Sequence, residues 1–409
     1  MRSKIDELYE CFEKNLSLFE LPIIVEDGCD VFPIIFHKMD QYLNFIRDNN
    51  FIKHYYGNAE KTVNRLKEAI EAYWQGNINN ANNKIKLILE DTKKLSGKLI
   101  IQNINECLFE KKQLYRARVG GFYPFREEEM FHIPFNKRGL IQNQRYSING
   151  MPCLYLGTST YVCWEELGRP DINSFWVSRF EVLNKELKIL NLSYTIQDIY
   201  DLKKRNLSDE EVEKSIIEYF LCWIIQCACS ISVKNKNRVF REEYIVPQLI
   251  MQNIRSSKID GIMYFSVRGN YMERNNSWIM KNFAFPADDY EVFLKKERKH
   301  IFDSKKYNEY KLSKKLKEAF SLTAPLNMGL IEVVESDNAM GRASKRAKYI
   351  DEAISKGIDS NTPDINLCRT ASTIALYGKR DLEYEFTKFY KLEVELLHML
   401  LKLPHGVQQ

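Results

Sequence analysis

The chain has no paired-cysteine framework. Its nine cysteines stand at 11, 29, 107, 153, 163, 222, 227, 229 and 368, and none forms a CxxC with a matching partner. This argues against a zinc site. The odd count, and the placing of several thiols inside apolar runs, predict free buried cysteines in a reducing, cytoplasmic setting. An excess of charge of one sign is also lacking, with 60 Lys/Arg against 55 Asp/Glu. A net charge of +5 does not mark a nucleic-acid binder from bulk charge. The opening MRSKIDELYECFEKN is charged from its start and leads into no apolar signal core, which predicts no secretion. The longest apolar run, IIEYFLCWIIQCACSISV at 216–233, is broken by Glu218 and Gln226. Without a flanking aromatic belt it predicts a buried helix followed by a strand, and no membrane span. No internal repeat is visible.

What is there suits a large folded protein. A 44% hydrophobic and 28% charged composition is close to globular averages, and 23 Tyr, 23 Phe and 5 Trp supply a big interior. At 409 residues the chain exceeds one small core, and about 100–200 residues per domain predicts two or three units.

Three regions follow from the patterning. Residues 1–111 read as a helical N-terminal region. In 59–75 Val63, Leu66, Ile70 and Tyr73 fall at helical spacing, and an Asn/Gly cluster at 76–83 punctuates. The helical pattern then resumes through Ile85, Leu87 and Ile88 to Leu99, Ile100 and Ile104. Residues 112–288 mix short apolar strands (LYRARV, LYLGTS, FWVSRFEV, LKILNL, DGIMYFSV) with helical patterns near 160–168 and 208–228, which predicts an α+β fold. Residues 289–409 return to mainly helical patterns at 311–320, 343–357 and 381–404, with 326–336 as a candidate strand. Segment 291–320 is basic, with ten Lys/Arg against five Asp/Glu. It reads as a solvated lysine-rich face, with an acidic partner as the alternative.

Polar residues stand in unusual places in the middle region. In LYRARV, Arg116 and Arg118 alternate with apolar residues, so both fall on one strand face, with Gly120 and Gly121 following. Guanidinium forks match phosphate oxygens, and glycines permit close backbone approach. In QRYSINGMPCLYLGTSTYVCWEEL (144–167), Arg145 and Tyr146 precede a turn, Tyr155 sits in a strand, and Glu165 and Glu166 close the next helix. Adjacent helical residues point about 100° apart, so only one of Glu165 and Glu166 can face a site; counting along the family pattern named below implies Glu166, and Glu165 stays open. In SKIDGIMYFSVRGN (257–270), a strand carrying Tyr264 delivers Ser266 and Arg268 at its end.

These blocks together resemble the RES domain family, named for its Arg, Glu and Ser. Tyr115–Arg116 matches its first block. Arg145, Pro152, Leu154, Tyr155, Ser159 and a terminal glutamate match the second, and Asp260, Gly261, Ile262, Tyr264 and Ser266 the third. EYIVPQLI (243–250) and NFAFP (282–286) resemble the family's helix entry and closing strand. The resemblance covers roughly 112–288. The family's Gly-Arg-Trp-Asn stands here as Gln144-Arg145-Tyr146-Ser147.

The resemblance implies an ADP-ribosyltransferase-like mixed sheet between helical flanks, with NAD⁺ as substrate, no cofactor or metal, and inorganic phosphate as a candidate co-substrate. It implies catalytic roles for Glu166 or Glu165, Arg116, Arg145 and Ser266. Tyr115, Arg118, Tyr146, Tyr155, Tyr264 and Arg268 are implied around the substrate. It also implies a toxin silenced by an antitoxin or regulatory protein, in a toxin–antitoxin or phage-defence setting. The helical flanks are expected to gate the site or to mediate homo-oligomer assembly. Glycohydrolysis, phosphorolysis and ADP-ribosylation of a protein share the first half-reaction. An inactive interaction protein using 291–320 is the reading from a different class.

Overall fold

The computed structural model describes residues 10–95, 100–108, 113–195, 198, 208–235, 238–268, 278–289, 311–331, 373–376, 380–384 and 387–401. In chain order the strands are β1 (Ile23–Val25), β2 (Ile101–Asn103), β3 (Gln113–Val119), β4 (Cys153–Gly157), β5 (Phe175–Val182), β6 (Lys188–Leu192), β7 (Ile231–Val233), β8 (Gly261–Phe265), β9 (Lys281–Pro286), β10 (Phe320–Leu322), β11 (Leu326–Asn327), β12 (Thr373–Leu376) and β13 (Arg380–Glu383). The helices are α1 (Leu16–Phe19), α2 (Val31–Asp48), α3 (Tyr56–Trp74), α4 (Ile78–Leu95), α5 (Ile104–Leu108), α6 (Thr160–Glu166), α7 (Asp209–Cys229), α8 (Ile245–Ile254), α9 (Lys314–Ala319) and α10 (Lys388–Leu401). The chain mixes helices and strands around one mixed sheet.

Nine strands make one mixed sheet in the order β10-β5-β3-β4-β9-β8-β6-β2, with β11 also on β5. β6 and β8 pair in parallel, and the other pairings in this sheet are antiparallel. The sheet reaches beyond 112–288 at both ends, because β2 joins β6 and β10 and β11 join β5. Alternation along each strand feeds two cores, one per face. On β4, Leu154 and Leu156 enter one core with Phe283 and Phe285, while Cys153 enters the other beside the N-terminal helices and α7.

Local sequence explains the elements. Ser208 and Glu211 form a reciprocal capping box at the start of α7, with Ser208 N–H donating to Glu211 Oε2 at 3.0 Å. The long apolar run becomes the buried half of α7 followed by β7. Gln226, one of its two polar interruptions, is buried and donates to the Tyr194 carbonyl at 3.1 Å. Tyr42 of α2 stacks on Trp223 at 4.4 Å and donates to the Phe220 carbonyl at 2.7 Å, joining the N-terminal helices to α7. No helix among the described residues is long and apolar enough to cross a membrane.

Four expectations need correction. The Asn/Gly cluster is a turn only to Asn77. Asn77 Oδ1 accepts the Asn80 N–H at 3.2 Å, and the remaining asparagines lie inside α4. The pattern through Ile100 and Ile104 is not one helix: Ile101–Asn103 pairs with β6, and α5 follows. An isolated apolar run cannot tell strand from helix by period. Leu326–Asn327 is a two-residue strand that runs straight into a 3-10 turn at Met328–Leu330. The C-terminal helix starts at Lys388, since Arg380–Glu383 pairs with β12 and Thr387 Oγ1 accepts the Tyr390 N–H at 3.3 Å. Residues 343–357 and 291–310 lie outside the described residues. In the described end of the basic segment, Lys315 is paired with Asp260 and Asp288, and Lys314 with Glu318.

His132 ties the 131–135 loop to the segment before α9. The ring is buried between Phe131 and Phe135, with both ring centroids 5.4 Å away. Ser313 N–H donates to Nε2 at 2.8 Å, so Nδ1 carries the proton and donates to the Ile133 carbonyl at 2.8 Å. Burial pulls the imidazole pKa from 6.5 down to about 4. The folded state therefore disfavours imidazolium. This contribution to stability is whole above about pH 6.5 and is lost as pH falls toward about 4, by on the order of 3 kcal/mol. Urea melts at about pH 7 and about pH 4.5 check this, and His132→Gln is expected to flatten the difference.

Candidate active site

The site begins where two strands part. β3 pairs with β5 along its whole length, and β4 with β9, but β3 and β4 meet only at Tyr115↔Gly157. Beyond that pair Arg116 fills the gap, donating through Nη1 to the Tyr155 carbonyl at 3.0 Å. A cavity of about 470 Å³ opens at this split, within the range of roughly 300–1,000 Å³ usual for small-molecule sites.

α6 supplies the carboxylate. Ser159 caps it, with Oγ accepting the Val162 N–H at 3.0 Å while donating to the Ile279 carbonyl at 2.6 Å. Gly157 lets the helix sit on β4: a Cβ there would come within 2.6 Å of Val162 Cγ1 and 2.8 Å of Cys163 Sγ. Thus Val162 and Cys163 face the sheet, and Glu166 at the last turn reaches the cavity. Glu166 Oε1 accepts from Asn282 Nδ2 at 2.8 Å, and Oε2 lies 3.4 Å from Arg268 Nε. Glu165 turns elsewhere. It is buried, bonded to Arg169 Nε at 2.9 Å, and absent from the cavity wall.

The walls hold Arg116, Arg145, Tyr155, Tyr264 and Arg268, all singled out in the sequence. Burial first, and Arg118 second, pull the Arg116 guanidinium down from 12.5 to about 10; it stays charged at neutral pH. Its Nε is buried and has no hydrogen-bond partner among the described residues. Arg145 does not pair with Glu166. Its guanidinium donates to the Cys229 carbonyl at 2.9 Å and the Ile231 carbonyl at 2.8 Å, and lies over the Tyr244 ring at 5.1 Å. Tyr155 Oη meets Ser147 Oγ at 2.8 Å and accepts the Tyr146 N–H at 3.2 Å. Burial pushes the Tyr155 and Tyr264 hydroxyls well above the ordinary range, so both present neutral phenols.

Other predicted residues sit outside the wall. Arg118 does not share a seat with Arg116: it donates to the Glu129 carbonyl at 2.6 Å and lies over Phe125. Tyr115 is buried in the same core as Tyr146 and Tyr264 but outside the cavity wall, and donates to Gln113 Oε1 at 2.7 Å. Tyr146 is fully buried, its ring 4.4 Å from that of Tyr264. Ser266 is buried, and its Oγ accepts the Arg268 N–H at 3.2 Å, which fixes the turn that carries Arg268. Strand parity sets where Tyr115 and Arg118 point, and the turn after β8 engages Ser266.

Sequence reasoning missed Asn282, Arg241, Glu243 and Tyr244. Asn282 follows Lys281 as the second of two polar residues in a strand that is buried throughout, a signal that could have found it. Arg241 Nη1 donates to Tyr244 Oη at 2.9 Å, so Tyr244 lies between Arg145 and Arg241. Gln248 was also missed. Its Nε2 donates to Asn143 Oδ1 at 2.6 Å and to the carbonyls of Gln144 and Ser147, fixing the loop that bears Arg145. Among the described residues no three His, Cys, Asp or Glu side chains gather to hold a metal ion.

No protein-family profile matches this chain. It is 39% identical over 194 residues to the Bacillus subtilis (strain 168) protein "Putative toxin YopC", a match covering 46% of this chain and 44% of that one. The chain therefore matches under half the length of that curated relative. Among solved structures it overlaps a chain of the M. tuberculosis MbcT-MbcA toxin-antitoxin complex, with a TM-score of 0.26 and 10% identity, over 53% of this chain and 83% of that chain. An overlap at that score does not establish a common fold.

Proposed function

We propose that this chain is a toxin whose cleft cleaves NAD⁺ at the nicotinamide–ribose bond. The observation that carries this reading is Glu166. One carboxylate is held by Asn282 and Arg268 in the same cavity as Arg116, Arg145, Tyr155 and Tyr264. The 39% identity to a protein named as a toxin supports the toxin part, and the three RES-like blocks support the NAD⁺ part.

The chemistry suits the groups. When the C1′–N bond breaks, its electron pair leaves with nicotinamide, which becomes neutral, and positive charge builds on the ribose. A fixed carboxylate stabilises that charge and accepts hydrogen bonds from ribose hydroxyls. The pyrophosphate is anionic, and the Arg116 fork with its uncommitted Nε is suited to it. Neutral Tyr155 and Tyr264 offer ring surface and hydroxyls to the nicotinamide end. Water attacking C1′ yields ADP-ribose and a proton; phosphate yields its phosphorylated counterpart; a protein side chain yields an ADP-ribosylated target.

Purified full-length protein, freed of bound inhibitor and incubated with NAD⁺, is expected to release nicotinamide and to arrest growth when expressed. Chromatography of the products separates water, phosphate and protein as acceptors. Absence of nicotinamide release with and without phosphate would reject the reading. An antitoxin that blocks this cleft belongs to the same proposal, and co-purification from the native host tests it. The interaction-protein reading is weakened in 311–320, where Lys315 and Lys314, two of the four lysines, are already paired.

A further inference from the structure

We infer that Glu393 is a positioning residue of the cleft, and that α10 is the brace that sets the helix bearing Glu166. This rests on the proposed NAD⁺ reading and adds a part from outside the resembling region. Glu393 is buried on α10, and its Oε1 accepts the Thr160 N–H, the first amide of α6, at 2.7 Å. The same oxygen accepts the Tyr384 hydroxyl at 2.5 Å. Thr160 Oγ1 donates to the Phe389 carbonyl at 3.0 Å, and the Phe389 ring lies 5.2 Å from Tyr161 and 5.3 Å from Trp164.

α6 has seven residues, too few to hold a helix in water without tertiary support. β4 supports one side through Gly157, and α10 supports the other. Apolar packing alone would let the helix slide, because dispersion has no direction. The hydrogen bond from Thr160 to Glu393 fixes its starting point on the α10 side, as the bond from Ser159 Oγ to the Ile279 carbonyl does on the other. A two-turn helix moves as a unit, so a shift at Thr160 is passed to Glu166, whose 2.8 Å bond to Asn282 leaves no slack. Misplacing a reacting group by about 1 Å costs up to roughly a hundredfold in rate.

The test uses full-length protein and two readouts. Glu393→Ala is expected to lower kcat for nicotinamide release by about tenfold or more with KM for NAD⁺ within about twofold, since Glu393 is not among the residues that line the cavity. Amide exchange across 160–166 is expected to quicken while that of β5 and β9 is unchanged. Glu393→Gln keeps the shape and one acceptor oxygen, and is expected to restore most of both readouts. If the alanine variant does not fold, Thr160→Val removes the Oγ1 bond to the Phe389 carbonyl and reads the same two quantities. Wild-type kcat and wild-type exchange in folded Glu393→Ala, or failing that in Thr160→Val, overturn the brace, as does a rise in KM with unchanged kcat. A quickened exchange in a protein whose wild type releases no nicotinamide would reject the NAD⁺ reading and leave the brace standing.

Discussion

Glu166→Gln is expected to reduce nicotinamide release at least about a hundredfold with little change in NAD⁺ affinity, because a fixed charge aimed at the transition state is worth roughly 2.7–4 kcal/mol. The amide keeps the size and can still meet Asn282, so folding survives. What it loses is the negative charge, which matters only when the ribose becomes positive. Binding of the ground state makes little use of that charge, so the loss falls on kcat and not on KM. Glu165→Gln supplies the internal control. Glu165 is buried and bonded to Arg169 at 2.9 Å, away from the cavity, so this variant is expected to lose stability and to keep the rate of the folded enzyme. Single-turnover nicotinamide release and thermal melts on both variants check the pair. The reverse pattern, a dead Glu165 variant and an active Glu166 one, would overturn the assignment.

That contrast shows how far the sequence could be read. The EE pair was visible, and the 100° between helical neighbours said that one residue must turn away. Which one depended on the seating of α6, and that is set by contacts remote in sequence: Gly157 against Val162 on one side, Glu393 on the other. The strands of the middle region were legible because their apolar alternation is local. The parting of β3 from β4 was not, since it is a pairing fact involving residues about 40 apart in the chain, Tyr115 and Gly157. The same limit explains Arg118. Its strand parity with Arg116 was right, but Arg116 is drawn into the split by the Tyr155 carbonyl, while Arg118 meets the Glu129 carbonyl. Asn282 was missed because NFAFP reads as a core strand. It is one, and the asparagine is buried there to hold a carboxylate. The flanks were read as separate helical regions, yet each lends strands to the central sheet. Their two- and three-residue strands carry too little pattern to be seen in advance.

On the proposed reading, Arg116→Lys is expected to raise KM for NAD⁺ by about 10- to 100-fold, the worth of a charge-assisted hydrogen bond of roughly 1.5–3 kcal/mol. The argument starts from the cost of the residue. A guanidinium set into the split of a sheet, beside a second arginine, is pulled down to about 10. Within the protein one carbonyl answers Nη1, and Nε stays buried without a partner among the described residues. A fold has little reason to keep such a charge for stability, because an uncompensated buried cation is unfavourable. An anion entering the cavity changes the sign. Phosphate oxygens accept from Nε and Nη together, which satisfies the orphaned donor and returns the guanidinium toward its ordinary pKa. Lysine keeps the charge but has no fork, so it recovers the attraction and not the geometry. The effect is therefore expected in KM with kcat within a few fold, and the thermal melt of Arg116→Lys without NAD⁺ is expected to equal or exceed wild type. Calorimetric titration of NAD⁺ into the Glu166→Gln background, with and without Arg116→Lys, reads affinity free of turnover. Equal affinity in the two proteins would remove Arg116 from the substrate site and leave it as a filler of the strand gap.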